Sequence, residues 1–532
     1  MAKTTHCIFL SILLILFVWP IHGHIRPVQW VDCRDHVPST LTVNSTELMN
    51  LPESLRCGRI SVPMDYSRPY SPANSITLGI AMHRPQKPKG AIFVNPGGSD
   101  PVAVLAWEMA LNLTDEFKGL EDYDLMMMDV RGTYSSSPLK VSLQTFNNLP
   151  LSYPQNQTEF DIYRQESAAM FQSWINSSSP MGIIEHVGTK EVVQDFEQIR
   201  NALGYERVSF IGLSYGTYRA QQYTAAFPSR VDRLVLDAIV PHGRSLRNKS
   251  LDGIKAINRA VLRADAYCQD SDSCQLKRLG KGSVPRAIRT IIQRAQDQEI
   301  YGTSNGSEPI PVSVLQSSLA AQFSGTPDFA SFTASLHMAL AGNLSSFLQD
   351  EPLTVESVVA LPLECGDLAY NELTYEGFKS SYDEAISVRF ETIWYGWLKL
   401  IVKLDKTGIG MTSVWQLQLY CSGWPFHVNR EIAQIIAKPT VLIAADFDND
   451  APIEWSLFDL TQLDLNLVSF VVRHGDGHTS FAIPNEPFGT IGKEFLRSGK
   501  RPDPTSTLLY RTFSGNNINY TFPDPYNVSF SP

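Results

Sequence analysis

The pentapeptide Gly212-Leu213-Ser214-Tyr215-Gly216 has the spacing of a nucleophile elbow, a sharp turn between a strand and a helix that lifts a serine hydroxyl toward a substrate carbonyl. Glycines are needed on either side because side chains there would meet neighbouring backbone. The same spacing recurs in Gly302-Thr303-Ser304-Asn305-Gly306. Context separates the two. Ser304 lies among polar turn residues with Glu308-Pro309 behind it, and reads as a surface loop. Ser214 follows the apolar run Val208-Ser209-Phe210-Ile211 and precedes a helical stretch, Thr217–Phe227.

A serine becomes a nucleophile when a histidine takes its proton and a carboxylate holds that histidine in the right tautomer. In serine hydrolases with this elbow the chain order is serine, acid, histidine. The histidine must then come late, in Arg473-His474-Gly475-Asp476-Gly477-His478-Thr479-Ser480. His478 is the expected base, since glycine before it and Thr-Ser after it suit a projecting loop; His474 reads as structural. Three carboxylates compete for the acid, Asp446, Asp448 and Asp450. Asp448 is expected, a few residues beyond the strand Thr440–Ala444 and thirty positions before His478.

The tetrahedral intermediate needs backbone donors for its oxyanion. Asn95-Pro96-Gly97-Gly98 follows the apolar strand Ala91–Val94, where missing side chains let backbone approach the substrate. The expected donors are the amides of Tyr215 and Gly98, with Gly97 the alternate. No CxxC pair or HExxH occurs, which argues against a zinc site, and no metal or organic cofactor is implied.

These residues require a sheet that presents them along one edge. Short apolar runs bounded by turn residues, at Ser75–His83, Gly90–Val94, Tyr123–Asp129, Arg207–Gly212 and Val231–Asp237, read as strands buried on both faces. Pro439–Ala444 and Leu467–Val472 continue the series. Glu191–Leu203 and Pro487–Leu496 read as helices. Between the two groups, roughly 246–415, helical periodicity dominates, as in Gly253–Ala266, Pro285–Asp297 and Val314–Gln322. The expected class is α/β, an α/β-hydrolase fold with a mostly parallel central sheet and an inserted helical cap. Its segments are 24–57, an N-terminal arm; 58–245, the first part of the core; 246–415, the cap; 416–500, the second part of the core; and 501–532, a tail.

The chain resembles the secreted tripeptidyl-aminopeptidase and prolyl-aminopeptidase group of serine hydrolases, peptidase family S33. The similar features are Asn95-Pro96-Gly97-Gly98, Asp129-Val130-Arg131-Gly132-Thr133, Gly212-Leu213-Ser214-Tyr215-Gly216-Thr217, Val235-Leu236-Asp237, Cys421-Ser422-Gly423-Trp424-Pro425, the segment from Asp448 to Pro452, and Gly477-His478-Thr479-Ser480. The resemblance implies a hydrolase core, a helical cap, and a C-terminal segment bearing Asp and His. It departs from the family where Gly98 is followed by Ser99-Asp100-Pro101-Val102 rather than a longer glycine-rich loop, and where Asn-Asp-Ala-Pro follows Asp448 in place of Pro-Val-Thr-Pro. Neither change removes a catalytic atom; the first reshapes the wall beside the scissile bond. An exopeptidase of this kind must hold a free amino terminus, and Glu364 and Asp367, flanking Cys365, are the candidate carboxylates.

A basic start near Lys3, an apolar run from Cys7 to Val18 and turn-prone residues up to Gly23 predict a removed signal peptide, residues 1–23. The run falls short of the ~20 residues that span a bilayer, so no membrane association is expected after its removal. Six cysteines then remain in a chain bound for an oxidising compartment. Cys33 with Cys57 and Cys268 with Cys274 need the least chain closure, which leaves Cys365 with Cys421. Glycosylation sequons begin at Asn44, Asn112, Asn156, Asn176, Asn248, Asn305, Asn343, Asn519 and Asn527. With 44 basic against 54 acidic residues and no basic run interleaved with aromatics, nucleic acid is not a partner to expect.

Three functions compete. The first is a secreted aminopeptidase working through an acyl-enzyme on Ser214. The second is an esterase or amide hydrolase for a small metabolite, because the same triad cleaves esters and the cap selects the substrate. The third, a non-catalytic binding protein on a hydrolase scaffold, would need a lost triad member, and none is missing.

Overall fold

The computed structural model describes residues 26–300, 309–347, 354–368, 374–386, 409, 412–428, 436–483, 487–502 and 508–511. The expected signal peptide, the loop holding Ser304 and Asn305, Asn519, Asn527 and most of the tail lie outside them.

Ten strands form one sheet among the described residues: β1 Gln29–Val31, β2 Leu55–Val62, β3 Ile76–His83, β4 Ala91–Asn95, β5 Asp124–Met128, β6 Val208–Leu213, β7 Val231–Asp237, β8 Thr440–Phe447, β9 Val468–Asp476 and β10 Leu508–Arg511. Their spatial order is β1-β2-β3-β5-β4-β6-β7-β8-β9-β10. From β5 through β10 every pairing is parallel, while β1, β2 and β3 join antiparallel. The protein is thus an α/β hydrolase fold in its sheet.

The seven strands read from apolar runs are all present, because β4, β5, β6 and β8 are buried along their whole length. Alternate side chains pack on opposite faces. Phe93 and Phe210 join Phe196 and Tyr223 on one side, with ring centroids 4.9 Å apart for Phe93–Phe196 and 5.2 Å for Phe196–Phe210. Ile92, Val94 and Ile211 face Trp107, Phe488 and Phe495 on the other. The sequence reading missed β1, β2 and β10. In β2, which pairs antiparallel near the sheet edge, Arg56 is exposed and Arg59 partly so, and the two interrupt the apolar run. Strands β8 and β9 run longer than expected, carrying Asp446 and His474 inside the sheet.

Between β7 and β8 the described residues are helical. Helices Leu246–Asp270, Ser283–Gln296, Val312–Ala321 and Phe329–Leu340 enclose a core of their own around Ile288, Leu315, Phe332 and Leu336. The other described α-helices of this region, Val355–Asp367, Tyr375–Ile386 and Thr412–Tyr420, instead join helix Gln157–Ser177 in the core on the sheet face that carries Phe93 and Phe210. Phe160 meets Phe378 with centroids 5.5 Å apart, Phe171 meets Trp424 edge-on at 4.9 Å, and the Ser167 hydroxyl donates to Tyr420 O at 2.5 Å. A Cβ on Gly423 would lie 2.2 Å from Ala168 N, so glycine permits this close contact. Helix Gln157–Ser177, expected in the first part of the core, shares the core on this face of the sheet with Phe93, Phe196 and Phe210 and also packs against these later helices. Among the described residues no helix is long and apolar enough to cross a membrane.

Candidate active site

β6 ends in the elbow. Ser214 adopts φ 50° and ψ −126°, a strained conformation for a residue with a Cβ, and precedes helix Tyr215–Ala226. Its amide donates to Asp237 O at 2.9 Å, which ties the turn to the neighbouring strand β7. The glycines earn their places sterically: a Cβ on Gly212 would lie 2.7 Å from Gly216 O, and one on Gly216 would lie 2.0 Å from Asn95 O.

The loop after β4 presses on this elbow. Gly97 has φ +98°, and a Cβ there would lie 2.6 Å from Tyr215 N. Gly98, at φ +51°, is also in the left-handed region. Among the described residues neither the Gly98 nor the Tyr215 amide donates to a protein acceptor. Beyond the loop, Val102 N and Ala103 N donate to Asp129 Oδ1 at 2.8 and 2.9 Å, so the first residue of the Asp129–Thr133 motif is an anchor. Arg131 of that motif is fully buried and bidentate to Asp195 at 2.7 and 2.6 Å.

His478 and Asp448 come together. His478 Nδ1 lies 2.9 Å from Asp448 Oδ2, and Asp448 Oδ1 accepts from Asp450 N at 2.9 Å and Ala451 N at 2.8 Å. Asp448 is wholly buried and the ring partly so. Burial disfavours the imidazolium, but the carboxylates of Asp448, Asp450 and Asp237 outweigh it and push the His478 pKa up to about 9. Burial raises Asp450, against the hydrogen bonds it accepts from Gly325 N and Ser324 Oγ.

Four supports of this pair carry no local sequence signal. Asp237 Oδ2 accepts from Ser480 N at 2.5 Å and Phe481 N at 2.7 Å, and burial pushes its pKa up to about 6. Arg473 threads the histidine loop, donating to Ser480 Oγ at 2.8 Å, Asp476 O at 2.6 Å, Gly477 O at 2.7 Å and Thr479 O at 3.0 Å. Arg263, from the first cap helix, pairs with Asp476. The cap loop at Phe323–Gly325 grips both sides of the pair: Asn449 Nδ2 donates to Phe323 O at 3.0 Å, and His478 N donates to Gly325 O at 2.8 Å.

The two cap carboxylates differ. Asp367 Oδ1 accepts from Thr189 N at 2.7 Å, while its Oδ2 accepts from Thr189 Oγ1 at 2.6 Å and from the Tyr215 hydroxyl at 2.8 Å. Glu364, one turn earlier and half-buried, has no hydrogen-bonding side-chain partner among the described residues. Burial lifts it to about 7, with Asp367 adding to the rise and the cations Arg219 and Lys249 opposing it. Asp367 thus reaches the elbow, as Tyr215 follows Ser214, and Glu364 lies one turn away on the same helix.

The disulfides are Cys33–Cys57, Cys268–Cys274 and Cys365–Cys421. The third holds the helix bearing Glu364 and Asp367 to the Cys421–Gly423 turn. The described sequon residues Asn44, Asn112, Asn156, Asn176, Asn248 and Asn343 are all exposed.

Residues 90–257 match the family model described as alpha/beta hydrolase fold, and residues 406–507 match that described as TAP-like protein. Serine protease Hip1 of Mycobacterium tuberculosis is 27% identical over 256 residues, 47% of each chain. A tripeptidyl aminopeptidase of Streptomyces lividans is 31% identical over 224 residues, 41% of this chain and 39% of that one. The matched stretch thus spans less than half the length of these relatives. The putative hydrolase YuaR of Escherichia coli is 24% identical over 478 residues, 85% of this chain and 87% of its own.

Proposed function

From the premise that this chain is a TAP-like α/β hydrolase, we propose that it is a secreted aminopeptidase that cleaves through an acyl-enzyme on Ser214. The observation that carries the reading is the Asp448–His478 pair, held by the cap loop and by Asp237, together with a strained serine elbow against which the Gly97-Gly98 loop is pressed.

His478 takes the Ser214 proton as Oγ attacks the carbonyl. Asp448 fixes the ring and stabilises the imidazolium. The oxyanion accepts from the amides of Tyr215 and Gly98, where preorganised donors stabilise charge that develops in the transition state. His478 then returns the proton to the departing amine, and water repeats the sequence on the ester. No cofactor enters these steps.

Amino-terminal specificity is supported by Glu364, half-buried on the same helix as Asp367, whose carboxylate accepts from the hydroxyl of Tyr215 beside the elbow. Tripeptidyl aminopeptidase is also the name of one relative. Three disulfides favour an oxidising compartment, and the exposed sequons favour glycosylation there. The segments named above, with 246–415 as the cap, belong to the same proposal. The test is hydrolysis of one peptide amide with a free and with an acetylated amino terminus, beside simple esters. Equal cleavage of both peptides, or cleavage of esters alone, would replace the aminopeptidase with a small-metabolite hydrolase.

A further inference from the structure

The Arg219 side chain is 1% exposed, on the first turns of the helix that follows Ser214. A buried guanidinium is normally matched by a carboxylate, since an unpaired charge is costly to take out of water. Arg131, Arg263 and Arg473 have acidic partners or a nest of four acceptors. Arg219 has no carboxylate within ion-pair distance among the described residues. Its hydrogen bonds go to the loop after β4: Nη1 donates to Asn95 Oδ1 at 2.9 Å and Nη2 to Gly98 O at 3.0 Å. Its face lies over the Tyr215 ring, 5.0 Å from the centroid.

One rigid cation therefore touches the end of β4, the glycine loop, and the residue whose amide is the second proposed donor. The Tyr215 hydroxyl in turn is held by Asp367 of the cap. A loop of two glycines in left-handed conformations has no side chains to fix it, so its peptide planes need an external tether. A planar fork with separate donors can supply that tether where a flexible ammonium would not.

We infer that Arg219 is a positioning residue of the oxyanion hole, holding the Gly97-Gly98 loop in register with the Tyr215 amide. The inference rests on the serine-hydrolase reading above. It assigns Arg219 no contact with substrate.

Arg219→Met keeps an unbranched apolar stem while removing the donors, and Arg219→Lys restores a cationic donor group at one point in place of the fork. Each is measured per active site titrated with a fluorophosphonate, for kcat, KM and inhibition by a peptide boronate, which forms a tetrahedral adduct on serine. Misplacing one donor should lower kcat by about ten- to hundredfold, with KM changed little and boronate affinity falling by the same factor as kcat/KM. Arg219→Lys should recover part of the loss. A merely structural role would lower the melting temperature and the titratable fraction, yet leave kcat and boronate inhibition per titrated site unchanged; that result overturns the inference. If Arg219→Met does not fold, Asn95→Ala, which removes the Nη1 acceptor, must show a smaller fall in the same two quantities, and unchanged values there overturn it equally. Ser214→Ala is run alongside. Labelling that persists in Ser214→Ala overturns the serine reading, whereas labelling lost there with normal kcat in Arg219→Met overturns only the role of Arg219.

Discussion

His474 Nδ1 lies 2.5 Å from Asp446 Oδ2, so β8 and β9 carry a second histidine–aspartate pair behind that of His478 and Asp448. The two pairs have different surroundings. Asp446 and His474 are buried within the strands, and Asp446 Oδ1 also accepts from Gly475 N at 3.1 Å. His478 sits beyond the strand end on a loop, its ring one-fifth exposed. His478→Gln should therefore reduce kcat by three or more orders of magnitude, on the scale seen when a triad member is removed. His474→Gln should retain activity and lose about 1–3 kcal/mol of stability by leaving a buried carboxylate short of its partner. Steady-state kinetics and thermal melts of both variants check this, and loss of chemistry in His474→Gln with a normal melt would contradict it.

Ser214→Ala should abolish turnover and fluorophosphonate labelling, whereas Ser304→Ala should leave both nearly intact. Mass spectrometry of the labelled protein identifies the modified serine directly.

A base must be neutral to accept a proton. With His478 raised to about 9, kcat/KM should climb through neutral pH and level off near that value. Asp450 is one of the carboxylates that raise it, so Asp450→Asn should move the rising limb toward lower pH. The pH profiles of the two proteins decide the matter; an unmoved limb would mean that Asp450 does not act on His478.

Glu364 must be ionised to hold an ammonium, and it is raised to about 7. KM for a free-amine peptide should then fall as pH rises through that region, while KM for the acetylated peptide stays level. Glu364→Gln should cost about 1.5–3 kcal/mol, roughly ten- to hundredfold in kcat/KM, for the free-amine substrate only. Asp367→Asn should behave differently, since its carboxylate already serves Thr189 and Tyr215. Its effect should fall on kcat for both substrates.

The disulfides should rank by loop length. Chain-entropy reasoning assigns about 2 kcal/mol to Cys268–Cys274, with separation 6, and about 4 kcal/mol to Cys365–Cys421, with separation 56. Denaturant melts of the paired serine variants measure the order. Loss of Cys365–Cys421 should also raise KM for the free-amine peptide, because that bridge seats the helix carrying Glu364.

Sequence alone determined what depends on neighbours in the chain. A buried strand is a run of apolar residues, the elbow is two glycines around a serine after such a run, and a histidine loop is glycine and small polar residues after another. Each signal lies within about ten residues, so the nominations of Ser214, Asp448, His478 and the Gly97-Gly98 loop needed no coordinates. Tertiary structure decided the rest, because a buried charge does not announce its partner. Asp237 reaches Ser480 across 243 positions, Arg219 reaches Asn95 across 124, and Asp367 reaches Tyr215 across 152. The same holds for helix Gln157–Ser177, whose contacts with Phe378, Tyr420 and Trp424 join residues more than 200 positions apart in the chain. Chain order could nominate candidates for the reacting groups, but only packing could decide which charges hold them in place.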